Sequence, residues 1–139
     1  MTDLSLTTSR RINTPADRLF NAWLDPGMLA RFMIPGPGMS VPMAKTDPRP
    51  GGRFDPVMRI GDKDLPHGGT YHEITRHSRL VFSWESPFSV DGSTVSLTFT
   101  PDDDATLVTL TKVKFPSEES RDNHRNGWSG ILAALEMAA

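Results

Sequence analysis

The side chains best suited to acid–base chemistry are one histidine and one lysine on strand-like segments. His72 shares a face with Ile74 if its strand alternates regularly. An imidazole with a pKa of about 6.5 can act as a base or orient a ligand. Strand alternation places Lys112 on the same predicted inward face as Leu110. Its ammonium could stabilise a developing negative charge there, or it could extend past the sheet edge into water.

Other site chemistries are poorly represented. The sequence has no cysteine, which excludes disulfides, thiolate nucleophiles and cysteine-based zinc sites. The remaining histidines, His67, His77 and His124, adjoin loops or a helix flank and are predicted to face solvent. No histidine pair has a metal-ligand spacing, and no hydrolase triad or phosphate-binding loop is present. We therefore predict no catalytic residues, no metal and no cofactor.

Composition limits the class of protein. The 139 residues carry a formal net charge of −2, which gives no general attraction to nucleic acid. No apolar run has the length of a membrane span, and the N-terminus lacks a signal-peptide pattern. We expect a single domain over residues 1–139, cytoplasmic, without nucleic-acid partners, and either a monomer or a homodimer.

The C-terminal segment has the strongest pattern of secondary structure. Residues 117–139 read as one long amphipathic helix. Its apolar stripe at positions i, i+3, i+4 and i+7 is formed by Trp128, Ile131, Leu132 and Leu135. This helix is predicted to pack across the sheet that the preceding residues form.

The rest of the chain is mostly strand-like. A first strand over about residues 3–12 precedes two helix-start signals. Thr14 is predicted to cap one helix with Pro15 in its first turn, and Asp25-Pro26 opens the next. Six strands follow over about residues 39–46, 52–59, 68–75, 79–86, 93–101 and 105–115, with turns at 91–92 and 102–104. Strands and helices that do not alternate favour an α+β fold with an antiparallel sheet.

Several segments in this order resemble a known family. They are residues 11–15 (RINTP), 20–23 (FNAW), 47–54 (DPRPGGRF), 69–74 (GTYHEI), 79–84 (RLVFSW) and 126–128 (NGW). The chain resembles the family of the activator of the heat-shock-protein-90 ATPase, within the SRPBCC (START-like) superfamily. The resemblance implies a helix-grip fold: a seven-stranded antiparallel sheet wrapped around a long C-terminal helix, with two short helices after the first strand. Phe32 and Lys112 depart from the Trp and His that relatives often have.

A cavity between sheet and helix is the expected site. The resemblance implies binding of a small, mostly apolar molecule there, with few polar groups in the wall. The predicted lining residues are His72, Phe82, Trp84, Leu97, Phe99, Leu110, Lys112, Trp128 and Leu132. The alternative for these residues is an ordinary filled core.

Two other functions stay open. A protein-interaction role of co-chaperone type would need an exposed apolar or charged patch. An enzyme of cyclase or lyase type would need polar groups such as His72 and Lys112 in the same cavity, and we expect a binding protein rather than an enzyme. Methionines in the first half, among them Met39 and Met58, would suit either an adaptable pocket mouth or gaps beside proline-rich strands.

Overall fold

A computed structural model describes residues 4–34, 38–85, 93–115 and 117–138. The chain forms eight strands and three helices in these segments. In chain order they are β1 (Ser5–Ile12), α1 (Ala16–Ala22), α2 (Pro26–Phe32), β2 (Met39–Thr46), β3 (Arg53–Ile60), β4 (Lys63–Pro66), β5 (Gly69–Thr75), β6 (Arg79–Ser83), β7 (Thr94–Asp102), β8 (Ala105–Val113) and α3 (Glu118–Ala138). The predicted α+β helix-grip architecture is confirmed.

The strands form one curled antiparallel sheet in the order β1-β8-β7-β6-β5-β3-β2, with β4 paired to β3. The short strand β4 adds an eighth strand to the predicted seven. It folds back on β3 through a two-residue turn at Gly61-Asp62, between the paired residues Ile60 and Lys63. Gly61 has a φ of 62°, a left-handed conformation that glycine adopts without a steric penalty.

The β7–β8 hairpin gives the sheet its most regular face. Asp102 pairs with Ala105, so Asp103 and Asp104 form the turn, as their position in the sequence predicts. Strand alternation buries Val95, Leu97 and Phe99 together with Val108, Leu110 and Lys112 on the facing strand. The predicted turn at residues 91–92 and the end of the predicted strand 79–86 lie outside the described residues.

The two short helices begin at different kinds of residue. Asp25 caps α2, because its Oδ1 accepts hydrogen bonds from the backbone N–H groups of Gly27 at 2.8 Å and Met28 at 3.4 Å. The predicted Thr14 cap of α1 is wrong: Pro15 occupies the N-cap position and α1 has no side-chain cap. The Thr14 carbonyl instead accepts a hydrogen bond from Thr106 Oγ1 at 2.8 Å, which joins this end of α1 to β8.

The long helix α3 lies against β1 and α2. Its first turn is capped by Ser117, whose Oγ accepts a hydrogen bond from the Ser120 N–H at 3.1 Å. The predicted stripe of Trp128, Ile131, Leu132 and Leu135 is buried. No helix in the described segments is both long enough and apolar enough to cross a membrane.

Candidate ligand-binding site

A cavity of about 200 Å³ lies between the β3–β4 hairpin and the first half of α3. Apolar side chains form most of its wall. The sheet side contributes Met39, Met58, Ile60, Leu65, His67 and Trp84; the helix side contributes Asn123, His124, Gly127, Trp128 and Ile131. We call this cavity the α3 pocket.

The hairpin places the outer wall of the α3 pocket. Met58 and Ile60 are on β3, and Leu65 pairs with Met58 from β4. Met58 is buried, whereas the side chain of Ile60 is 46% exposed. Ile60 therefore lies where the pocket meets solvent, and Met58 lies deeper.

Two tryptophans connect the sheet and the helix beside the pocket. The rings of Trp84 and Trp128 meet edge to face, with centroids 4.8 Å apart. Trp84 follows β6, and its backbone N–H donates to the Ser93 carbonyl at 2.8 Å. Both indoles are almost fully buried, so they give the pocket a rigid aromatic surface.

His67 supplies one polar group of the wall. It follows β4, and its ring centroid is 5.4 Å from that of Trp84. Its Nδ1 is 2.9 Å from the Leu65 carbonyl oxygen, which can only accept, so Nδ1 carries the proton and Nε2 has the lone pair in the neutral ring. Burial lowers the pKa of His67 below its ordinary value, and the nearby charge of Lys112 acts in the same direction.

His124 supplies a second imidazole from the other wall. Its Nδ1 lies 2.7 Å from the backbone carbonyl oxygen of Ser120, one turn earlier in α3. The same argument leaves the lone pair on Nε2. Burial lowers the pKa of His124, with a smaller contribution from Lys112. The pocket therefore holds two imidazoles that are mostly neutral at neutral pH and that offer Nε2 as a proton acceptor.

Lys112 is the buried cation next to this pocket. Its side chain is 1% exposed. Its Nζ lies 5.8 Å from the centroid of the Trp84 ring and 5.0 Å from that of Phe115. Burial lowers the pKa of Lys112 to about 7, so the amine is close to half protonated at neutral pH.

Part of the space between the sheet and the helices is closely packed. A separate void of about 10 Å³ lies among Trp23, Tyr71, Phe82 and neighbouring apolar side chains. That volume corresponds to about one water molecule. Of the two situations expected from the sequence, an open cavity and a filled core, the described residues show both, in different parts of the molecule.

The described titratable side chains that line the α3 pocket are all bases. Among the described residues that line the α3 pocket, the titratable side chains are the two imidazoles, and none is an acid. Within the described segments, no group of three or more histidine, aspartate or glutamate side chains is placed to bind a metal ion.

Comparison with known protein families identifies the family of this chain. Residues 13–139 match the family described as Activator of Hsp90 ATPase homolog 1-like protein. The chain belongs to this family. Membership indicates a module of ligand-binding or co-chaperone type and agrees with the START-like fold. A search of curated proteins gives no match.

Solved structures of other proteins share the fold of this chain. The AHSA1-like protein from Aeromonas hydrophila is 24% identical, with a TM-score of 0.82 over 97% of this chain and 91% of that one. A protein from Rhizobium loti is 25% identical, with a TM-score of 0.82 over 99% and 98% of the two chains. A protein from Nitrosomonas europaea is 23% identical, with a TM-score of 0.81 over 97% and 93%.

Within this family fold, the predicted lining residues are only partly brought together. Trp84 and Trp128 line the α3 pocket, and Lys112 packs against Trp84. The other apolar residues of the predicted set are buried in the core and are not among the lining residues: Phe82, Leu97, Phe99, Leu110 and Leu132.

His72 is not at the pocket. Its side chain is exposed, because Tyr71 takes the inward position on β5 and is 2% exposed. The register of β5 against β6 also shifts between Tyr71 and Glu73, which interrupts simple alternation. Lys112 is buried, so the structure does not bring together the catalytic pair that the sequence suggested.

Two histidines that the sequence assigned to solvent line the pocket instead. His67 and His124 are both partly buried. A short strand with the sequence KDLP has no apolar alternation that would show where His67 points. His124 lies four residues before Trp128, which is one helical turn, and this spacing is the one signal that could have placed it beside the stripe.

Proposed function

We propose that this chain binds a small, mostly apolar molecule in the α3 pocket. The observation that carries the proposal is the cavity of about 200 Å³, which is lined mainly by methionine, leucine, isoleucine and tryptophan side chains. Ligand sites are typically concave, mostly apolar and equipped with a few polar groups. The two imidazoles and Asn123 are polar groups of that kind.

The volume limits the size of the ligand. Engineered apolar cavities of about 150 Å³ bind benzene. A space of about 200 Å³ accommodates a single aromatic ring with a short substituent, or an aliphatic chain of similar bulk. The flexible side chains of Met39 and Met58 in the wall would let the pocket adjust to ligand shape.

The expected affinity is low. A ligand that buries on the order of 200 Å² of apolar surface gains roughly 5 kcal/mol at about 25 cal/mol per Å². Association costs reduce this gain, so dissociation constants in the millimolar range are expected for apolar fragments.

Native mass spectrometry and thermal shift with benzene, toluene, indole and n-hexanol test the proposal. We expect one molecule bound per chain and a melting temperature that rises with ligand concentration, because a ligand of the folded state stabilises it by mass action. A panel without any stoichiometric binder would overturn the proposal and favour an interaction role.

The alternatives have less support among the described residues. The exposed large apolar side chains, Met43, Ile60, Leu107 and Met137, belong to four different elements. A co-chaperone-type interaction through a large apolar patch therefore has no specific observation in its favour. A cyclase or lyase activity would require a catalytic pair other than His72 and Lys112.

A further inference from the structure

The polar groups of the α3 pocket are of one kind. His67 and His124 approach it from opposite walls, one from the sheet side and one from α3. Each has its Nδ1 on a backbone carbonyl, at 2.9 Å from Leu65 and 2.7 Å from Ser120. Nε2 is therefore the nitrogen of each ring that is left for a ligand: an acceptor when the ring is neutral and a donor when it is protonated.

We propose that the molecule bound in the α3 pocket carries an acid group, such as a carboxylate on an aromatic ring or short aliphatic chain, which His67 and His124 bind through Nε2. This inference rests on the proposed function and specifies its ligand class. None of the described residues that line the pocket is itself an acid.

The surroundings favour a negative charge at this place. Lys112 lies behind Trp84, with its Nζ 5.8 Å from the ring centroid, and its charge acts on both imidazoles. His124 also acts on His67. Burial and the charge of Lys112 both disfavour the protonated forms of His67 and His124, and an anion bound beside the two rings would offset this effect.

The proton balance of binding follows from these groups. A carboxylic acid is ionised in neutral solution, whereas burial keeps the pKa values of His67 and His124 below the ordinary range. When the carboxylate enters, a proton from solvent is taken up at Nε2, and the resulting N–H donates to a carboxylate oxygen. An acid group that enters in its neutral form and donates its O–H to Nε2 requires the same net proton from solvent. Binding is therefore coupled to proton uptake, and affinity increases as the pH falls from about 8 to about 6.

A ligand series of nearly constant shape tests the inference: phenylacetate, phenylacetamide and 2-phenylethylamine. Isothermal titration calorimetry at about pH 7, in phosphate and in Tris, gives the affinity and the number of protons exchanged. We expect phenylacetate to bind about tenfold tighter than the amide, since hydrogen bonds between charged groups are the stronger ones. We expect uptake approaching one proton with the acid, none with the amide, and the weakest binding with the amine.

Histidine variants and an NMR titration show which residues bind the acid group and take up the proton. His67→Gln and His124→Gln should each reduce phenylacetate affinity severalfold and reduce proton uptake, while the matched exposed variant His72→Gln should change neither. If a variant fails to fold, imidazole NMR titration of the unmodified protein serves instead. Phenylacetate should raise the pKa values of His67 and His124, and it should leave the imidazole chemical shifts of the exposed His72 unchanged.

The outcomes separate this inference from the proposed function. If the amide binds as tightly as the acid, or the acid binds without proton uptake, the acid-group inference is wrong and the apolar pocket stands. If neither these three compounds nor the neutral apolar panel binds, both proposals fail.

Discussion

The rings of Trp84 and Trp128 meet edge to face, with ring centroids 4.8 Å apart and planes inclined by 66°. Trp84 directly follows β6, and Trp128 lies in the middle of α3. The contact joins two parts of the chain that are more than forty residues apart in the printed sequence. Since both indoles also line the α3 pocket, the same contact supports the core and forms the proposed binding surface.

Removing the helix partner of this contact should destabilise the fold strongly. Trp128→Ala is expected to lower the free energy of unfolding by about 3–5 kcal/mol, the usual cost of deleting a large buried aromatic side chain. Met137→Ala is the control on the same helix, because Met137 is 87% exposed, and it should change stability by less than about 0.5 kcal/mol. Chemical denaturation measures both; a loss below about 1 kcal/mol for Trp128→Ala would argue against the helix-grip packing.

The cap of α2 provides a smaller and independent test. Asp25→Ala removes the carboxylate that accepts from Gly27 and Met28, and it should cost about 1 kcal/mol of unfolding free energy. Asp62→Ala, at an exposed turn position, is the matched control and should be nearly neutral. Equal stability of the two variants would show that the Asp25 cap contributes nothing measurable.

The mouth of the α3 pocket can be closed by a larger side chain at a half-exposed position. Ile60→Trp places a larger ring where the side chain is already 46% exposed. It should reduce the affinity for small aromatic ligands about tenfold or more by occupying the entrance, with a stability change within about 1 kcal/mol. Leu107→Trp on β8, which is 38% exposed and not a lining residue, should leave affinity unchanged. Isothermal titration calorimetry measures the ligand affinity of both variants. An equal loss of affinity in the two variants would place the binding site elsewhere.

Lys112 should make stability depend on pH. Burial lowers its pKa from 10.5 to about 7, so between these values the unfolded chain holds a proton that the folded chain does not. Stability should therefore rise with pH across this window, by at most about 1.4 kcal/mol per pH unit from this one group. Below pH 7 its contribution is a constant penalty.

Lys112→Met should remove that dependence. Denaturation at several pH values from about 7 to 10 gives the unfolding free energy of the original protein and of the variant. The original protein's value minus the variant's value should increase with pH. Lys63→Met, at an exposed strand position, is the control and should not change how the unfolding free energy depends on pH. Parallel curves for the original protein and Lys112→Met would mean that the amine is charged in the folded state throughout.

The fold was largely predictable because its strongest elements have long, regular patterns. The stripe from Trp128 to Leu135 repeats at the helical period over two turns, and all four of its residues are buried. Val95, Leu97 and Phe99 likewise alternate with polar residues in the sequence, and they form the buried face of β7. In both cases several apolar residues share one predicted buried face, so a single exception does not change the prediction.

The pocket was less predictable because short, polar segments form much of it. Strand β4 is only four residues long, two of them charged, and its position depends on the turn at Gly61 and on pairing with β3. Lys112 was correctly placed inward by alternation, whereas His72 was not, since Tyr71 competes for the inward position and the pairing shifts beside it. The packing of His67 and His124 is set by tertiary contacts that no single segment encodes.

The most direct measurement of the central claim is a ¹H–¹⁵N NMR titration of the full chain with phenylacetate and with toluene. We expect saturable shifts concentrated at the backbone amides of the lining residues and at the indole N–H groups of Trp84 and Trp128, with nuclear Overhauser contacts from ligand protons to both indoles. The shifts should be lost in Ile60→Trp and retained in Leu107→Trp. Saturable shifts centred on another surface, or no shifts with either compound, would contradict ligand binding in the α3 pocket.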